Sequence, residues 1–211
     1  MNQNVLLTLF PVSSEAYQAF NELKVYRQTA ETIIAQAVLI KKQNGVITMV
    51  DAFDASEKIN SGMLTGGLIG GLLGIIGGPL GMLLVGSLGA LIGGNVKAAE
   101  SIGEGTLLAP VTERLVDGDV AIIALVQESS EDVLNDFFNQ FSDTTVSRWD
   151  AVVVQKEVQE ALEVQKDLAI KARADLKVKK AEERQDNWDE FKNNLKAKFD
   201  ELGDKIKKGL E

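Results

Sequence analysis

The 211-residue chain contains neither cysteine nor histidine. Without cysteine it has no disulfide, no thiolate metal ligand and no thiol nucleophile. Without histidine it lacks the commonest general base, the commonest transition-metal ligand and the usual partner of a nucleophilic serine. We therefore expect no catalytic residue, no metal site and no cofactor, and we interpret the protein as a non-enzyme.

Basic side chains are scarce through most of the sequence. Residues 1–154 carry 8 basic and 17 acidic side chains, and the whole chain has a net charge of −9. Because binding to nucleic acid requires a basic face, this composition predicts no nucleic-acid partner. The apolar run Val5–Phe10 has no basic region before it and is short, which predicts no cleaved export signal. Residues 155–211, in contrast, form a neutral tail with 14 basic and 14 acidic side chains.

One stretch lacks charge altogether: GMLTGGLIGGLLGIIGGPLGMLLVGSLGALIGG, residues 62–94, which holds thirteen of the nineteen glycines. Small residues recur in it at every fourth position. They are Gly62, Gly66, Gly70, Gly74 and Gly78, and then, after Pro79, Gly86, Ala90 and Gly94. On a helix, positions four apart share a face, so each half would present a strip without side chains to a closely packed neighbour.

The sequence Gly77-Gly78-Pro79 divides this glycine-rich segment in two, because proline lacks an N–H and opposes continuation of the preceding helix. We predict a helical hairpin whose two arms have 16 residues each. Such an arm reaches about 24 Å at 1.5 Å per residue, whereas the hydrocarbon core of a bilayer is about 30 Å thick. Each glycine costs a solvated helix about 1 kcal/mol relative to alanine. The hairpin is therefore expected to project into lipid, to pack against its own copies, or to be buried within its own monomer.

The flanking sequence alternates between strand and helix patterns. The strand Asn4–Phe10 precedes a helix that starts near Ser13 and places Ala16, Phe20, Leu23 and Tyr26 or Arg27 at helical spacing. The hairpin strands Ile33–Lys42 and Val46–Phe53 meet at Asn44-Gly45. After the glycine-rich segment come the strand Val120–Glu128, the helix Ser129–Phe141 and the strand Thr144–Val154. We predict an α+β domain, residues 1–154, that is a ferredoxin-like sandwich of two βαβ units with both helices on one sheet face. The hairpin 62–94 interrupts it.

The tail, residues 155–211, contains no proline and is rich in helix-forming residues, which predicts a long helix. An apolar stripe with near-heptad spacing runs along it: Trp188, Phe191, Leu195, Phe199, Leu202 and Ile206. This stripe is typical of a coiled coil or subunit contact, and it also suits a membrane surface or a return onto the parent domain. A weaker apolar row begins at Val154 and is interrupted by Gln165.

Three stretches resemble a known bacterial family: DAFDASEKINSGMLTGGLIGGLLGIIGGPLGMLLVGSLGALIGG, LLAPVTERLVDGDVAIIALVQE and WDAVVVQKE. The family consists of proteins of unknown function, described as membrane or general-stress proteins, with a glycine-zipper hairpin inserted in a small α/β domain. The resemblance covers roughly residues 3–156. It implies association with a membrane or a stress response, and it supplies no catalytic residues.

Two groups of polar side chains invite a functional interpretation. Carboxylates near the base of the hairpin would suit a hard cation such as Mg²⁺, or would simply be solvated; they are Asp51, Asp54, Glu57, Glu100 and Glu104. Two serine pairs are expected to begin and cap helices rather than to act as nucleophiles; they are Ser13 with Ser14, and Ser129 with Ser130.

From these patterns we hypothesise a self-assembling protein on the cytoplasmic face of a membrane, held there by its hairpin, with its tails joining neighbours into a ring, filament or lattice. Its expected partners are further copies of itself and membrane lipid. One alternative is a soluble cytoplasmic assembly with the hairpins in a protein core. The other is a soluble ligand-binding or enzymatic α/β domain.

Overall fold

The computed structural model describes residues 1–55, 67–78 and 107–178, which form a mixed α+β fold. The elements, in chain order, are β1 (Asn2–Phe10), α1 (Ser13–Lys24), β2 (Thr32–Gln43), β3 (Val46–Asp54), α2 (Leu68–Ile76), α3 (Leu108–Arg114), β4 (Val120–Glu128), α4 (Asp132–Phe138), β5 (Thr145–Asp150) and α5 (Ala151–Val178).

The strands form one antiparallel sheet in the order β3-β2-β4-β1-β5. Strand β4 lies between β1 and β2, the two strands of the unit β1-α1-β2. Strand β1 lies between β4 and β5, the two strands of the unit β4-α4-β5. The two predicted βαβ units therefore interleave in one sheet. Strands from before and after the glycine-rich segment are direct neighbours, since β4 pairs with both β1 and β2.

Helices cover both faces of this sheet. One core, which we name the aromatic layer, lies between the sheet and α1 with α4, and includes Phe10, Phe20, Ile122, Leu134 and Phe138. The other core, the aliphatic layer, lies between the sheet and α2, α3 and α5, and includes Leu7, Leu72, Val111, Ile123 and Val158. Because β4 is buried on both faces, it is a continuous apolar run rather than an alternating one.

Several local predictions are confirmed. The hairpin turn has positive φ at both central residues, 53° at Asn44 and 73° at Gly45, as a type I′ turn requires. The helix α1 buries Ala16, Phe20 and Leu23 at the expected spacing. Helices α1 and α4 pack on the same face of the sheet, as expected.

The prediction that serine pairs cap the helices is wrong for α1 and only partly right for α4. The N-cap residue of α1 is Val12, which makes no side-chain capping bond, and the Ser13 hydroxyl instead donates to the carbonyl of Gly118 over 3.4 Å. At α4 the Ser130 hydroxyl accepts a 3.2 Å hydrogen bond from the Asp132 amide, and the helix begins at Asp132 rather than at Ser129.

The predicted end of β5 at Val154 is also wrong. The run Ala151-Val152-Val153-Val154 is the first turn of α5, because the Asp150 carboxylate accepts hydrogen bonds from the amides of Val152 (2.8 Å) and Val153 (3.2 Å). β-Branched residues favour a strand, but here capping and the burial of Ala151 and Val154 in the aliphatic layer prevail. As a result, α5 runs through residue 154, where the sequence placed the end of the α/β domain.

Candidate functional site

The candidate site is the part of the glycine-rich segment that the structure describes, residues 67–78. Gly67 stands at the N-cap in the left-handed conformation, with φ of 82°, and the helix α2 that follows contains only leucine, isoleucine and glycine. All its isoleucines and two of its leucines are buried on the sheet; they are Leu68, Ile69, Leu72, Ile75 and Ile76. This part of the segment therefore packs inside its own monomer, and the projecting arrangement is wrong for it.

The glycines of α2 fall into two groups with different surroundings. Gly70 and Gly74 are exposed, and a Cβ added at either one would meet no atom of the described chain within 4 Å. Gly67 and Gly77 are exposed at the two ends of the same helix. We name these four residues the exposed glycine row. Its two internal members, Gly70 and Gly74, present bare helix backbone, whereas a Cβ at Gly77 would lie 3.6 Å from the Ile47 carbonyl oxygen of β3.

The second group of glycines contacts α5. A Cβ at Gly71 would stand 2.8 Å from Cγ1 of Val158 and 3.7 Å from Cδ1 of Leu162, so no larger residue fits there without movement. Gly78 follows the last turn of α2, and a Cβ there would lie 2.5 Å from the Gly74 carbonyl oxygen and 3.0 Å from Oε1 of Gln165. The sequence placed Gly78 in one row with Gly70 and Gly74, but the structure places it against α5.

Helix α5 is thus the partner that sequence reasoning missed. Its buried residues Ala151, Val154, Val158 and Ala161 form one side that faces the aliphatic layer. Gln165 continues that side where the apolar row is interrupted, and its amide lies next to Gly78. The signal in the sequence was the interruption of the apolar row at Gln165.

Glu157 is a second residue that the sequence did not single out. It is 1% exposed, and its carboxylate accepts hydrogen bonds from the amides of Leu107 (2.8 Å) and Leu108 (2.9 Å) at the start of α3. A carboxylate is well placed at the positive end of a helix. The available signal was a glutamate within the apolar row, next to Val158. Glu157 therefore joins α5 to the chain that follows the glycine-rich segment.

The remaining residues that the sequence singled out lie outside the described residues. From the glycine-rich segment these are Gly62, Gly66, Pro79, Gly86, Ala90 and Gly94. From the tail stripe they are Trp188, Phe191, Leu195, Phe199, Leu202 and Ile206. Within residues 1–55, 67–78 and 107–178, no helix is both long enough and apolar enough to cross a membrane.

The carboxylates considered as cation ligands are engaged with other side chains where the structure describes them. Asp51 forms an ion pair with Lys24, whose ammonium group donates to its carboxylate and holds the pKa of Asp51 below its usual range. Asp54 accepts a 2.7 Å hydrogen bond from the Gln36 amide. Glu57, Glu100 and Glu104 fall outside the described residues. Among the residues described, no group of three carboxylates is arranged to hold a metal ion.

A polar cleft of about 360 Å³ lies at the β1-β5 side of the sheet and is lined by Asn2, Asn4, Glu131, Asn135, Val146, Arg148, Trp149 and Asp150. Its central cation, Arg148, donates from Nε to the buried carboxylate of Glu128 over 2.9 Å. Asn4 donates to the same carboxylate over 2.9 Å, and Arg148 also donates to the carbonyl of Glu131 over 3.2 Å. These contacts join β1, β4, β5 and the start of α4, so the fold itself accounts for the charged groups of the cleft.

Comparison with models of protein families, with curated proteins and with solved structures finds no significant match to this chain.

Proposed function

We propose that the protein is a non-enzymatic, self-assembling protein that associates with the cytoplasmic side of a membrane through its glycine-rich segment, residues 62–94. The resemblance to the bacterial glycine-zipper family and its stress association belongs to this proposal. We also propose that the domain is a ferredoxin-like sandwich, formed by β2, β4, β1 and β5 with α1 and α4. Strand β3 is then an additional edge strand.

The exposed glycine row is the observation that carries the proposal. Each of its internal glycines costs the helix about 1 kcal/mol relative to alanine in water, and at Gly70 and Gly74 the described chain leaves room for a larger side chain. Packing among the described residues therefore does not account for these two glycines. Close contact with a second helix does, since small residues such as glycine let two helix backbones approach closely.

The sheet topology supports a segment that leaves and re-enters the domain on the same side of a membrane. Strand β2 precedes the segment and β4 follows it, and the two are paired from Thr32 opposite Glu128 to Lys41 opposite Val120. A segment that crossed a bilayer once would place these strands on opposite sides, where they could not pair. The pairing therefore favours association from one side over a single crossing.

A second candidate is a soluble assembly whose glycine-rich segments pack together in a protein core. The inward side of α2 favours it, because Leu72 and Ile75 already lie in a protein core with 0% exposure. Both candidates use the exposed glycine row for helix contact. They differ in whether lipid is a partner, so a vesicle-binding measurement separates them.

The test replaces Gly70 and Gly74 together by leucine and compares this variant with Gln159→Leu/Glu163→Leu. The control also adds two leucines four residues apart, at exposed positions of α5. If the proposal holds, the glycine variant loses self-association in analytical ultracentrifugation, and because it then binds as a monomer rather than as a multivalent assembly it binds phosphatidylcholine–phosphatidylglycerol vesicles more weakly, while the control keeps both properties. Equal behaviour of the two variants would contradict the proposal. Loss of self-association by a protein that never binds vesicles would favour the soluble assembly.

A further inference from the structure

The side of α2 that would suit lipid is hidden in the structure. Leu68, Ile69, Leu72, Ile75 and Ile76 are each at most 6% exposed and lie in the aliphatic layer. Within α2 only Gly70 and Gly74 are exposed. Glycine offers almost no apolar surface to a bilayer, whereas the buried leucines and isoleucines offer a great deal. Binding of α2 to lipid through its large side chains therefore requires α2 to leave the sheet.

Helix α5 packs beside α2 and contacts it at Gly71 and Gly78, so these contacts must break in that movement. Val158 and Leu162 lie over Gly71 in the middle of α2, and Gln165 lies next to Gly78 just beyond its end. These three residues are on successive turns of α5, so α5 follows α2 along its second half. The contact at Gly71 is close enough that a Cβ there would overlap Val158.

The same part of α5 also binds the chain on the far side of the glycine-rich segment. Glu157, immediately before Val158, accepts the hydrogen bonds from the amides of Leu107 and Leu108. One turn of α5 thus contacts both described parts of the chain that flank residues 79–106. Beyond Gln165 the helix continues to Val178, and Lys166, Ala169 and Ile170 are exposed.

We infer that α5 is a releasable strap: it holds the aliphatic side of α2 on the sheet, and binding of α2 to a bilayer requires α5 to move away. The inference rests on the proposed function and adds to it the surface that meets lipid and the element that controls its exposure. In this state the protein is closed, and displacement of α5 at Val158 and Glu157 opens it.

The chain has no cysteine of its own, so an engineered disulfide can lock the strap without competing thiols. The variant Gly71→Cys/Val158→Cys places two cysteines where a Cβ and a γ atom are 2.8 Å apart, and cysteine at 158 is smaller than the valine it replaces. We expect the oxidised form to bind phosphatidylcholine–phosphatidylglycerol vesicles at least about tenfold more weakly than the wild type, and dithiothreitol to restore binding.

The control Lys41→Cys/Thr48→Cys forms its disulfide between paired residues of β2 and β3 and leaves α2 and α5 free. Oxidation of this control is expected to leave vesicle binding unchanged. A second variant, Glu157→Gln, weakens the strap without a cross-link and is expected to bind vesicles more tightly than the wild type, with the same circular dichroism spectrum.

The outcomes separate the strap from the proposed function. If the oxidised lock binds vesicles as tightly as its reduced form, or if Glu157→Gln binds more weakly than the wild type, the strap is overturned while membrane association stands. If the wild type itself fails to bind vesicles, membrane association is wrong and the strap falls with it.

Discussion

The two faces of the sheet are covered by different kinds of apolar side chain. The aromatic layer contains Phe10, Phe20, Phe138 and Phe141 as buried rings, and every ring-to-ring contact among the described residues lies there. The aliphatic layer is made of leucine, isoleucine, valine and alanine, with Trp149 only partly buried at its border. Large rings fill the space between α1, α4 and the sheet, whereas on the other face α2 and α5 come together at a glycine.

This difference bears on how each face can be opened. Interlocked rings belong to many contacts at once, and removing one ring leaves a large cavity. A helix contact across glycine has no interlocking side chain on one partner, so the contact between α2 and α5 at Gly71 is held by fewer interlocked side chains than the ring contacts are. The proposed release of α2 would therefore open the aliphatic layer and leave the ring contacts of the aromatic layer in place.

The largest expected effect is the loss of a ring from the aromatic layer. Phe138 is 1% exposed, and its ring contacts those of Phe10 and Phe137 at centroid distances of 6.1 and 5.1 Å. Phe138→Ala should lower the free energy of unfolding by about 3–5 kcal/mol, as measured by urea denaturation. Phe138→Leu, which keeps most of the volume, should cost about 1.5 kcal/mol or less. Similar losses for both variants would mean that ring packing does not distinguish this layer.

The next largest effect is expected at the polar contact that closes the aliphatic layer. Glu157→Ala removes the carboxylate that accepts from the amides of Leu107 and Leu108 at a site that is 1% exposed. It should lower the free energy of unfolding by about 2–3 kcal/mol. Glu157→Gln keeps one acceptor oxygen and should lower the free energy of unfolding by a smaller amount than Glu157→Ala does. The matched control Glu163→Ala removes an exposed carboxylate from the same helix and should stay within about 0.5 kcal/mol of the wild type.

The sequence predicts much of the aromatic layer and little of the aliphatic one, for a physical reason. The Asn44-Gly45 turn, the buried strand Val120–Glu128 and the row Ala16, Phe20, Leu23 are local patterns, and all are confirmed. The contact between Gly71 and Val158 joins residues far apart in the chain, and a glycine carries no side chain whose character would reveal its neighbour. The role of Glu157 is equally non-local, because its partners are backbone amides of Leu107 and Leu108 that have no sequence signature.

A smaller effect is expected from adding a single methyl group on either side of α2. Gly71→Ala forces its Cβ against Val158 and should cost about 1–2 kcal/mol. Gly70→Ala has open space in the described chain and should raise the free energy of unfolding by up to about 1 kcal/mol through helix propensity. The double variant Gly71→Ala/Val158→Ala should show a favourable coupling energy in a double-mutant cycle. If Gly70→Ala is as destabilising as Gly71→Ala, the two sides of α2 do not differ as described.

The smallest effect is expected at the exposed rim of the aromatic layer, where Lys24 of α1 pairs with Asp51 of β3 and also lies 5.0 Å from the ring centroid of Phe20. The hydrogen bond from Lys24 lowers the pKa of Asp51, so the folded protein binds this proton less readily than the unfolded chain does. The pair therefore stabilises the fold above the ordinary aspartate pKa of about 4, and the contribution is lost as the pH falls through the lowered value.

An NMR titration of the Asp51 carboxyl carbon should show this lowered pKa in the wild type. Lys24→Met, which keeps the apolar stem over Phe20 and removes the charge, should return the pKa of Asp51 toward its ordinary value. Because the pair is exposed, added salt should also move the pKa of Asp51 toward its ordinary value. An Asp51 pKa that is unchanged by Lys24→Met would show that the ion pair does not persist in solution. The link between α1 and β3 would then rest on the contact between Phe20 and Phe53, whose ring centroids are 5.7 Å apart.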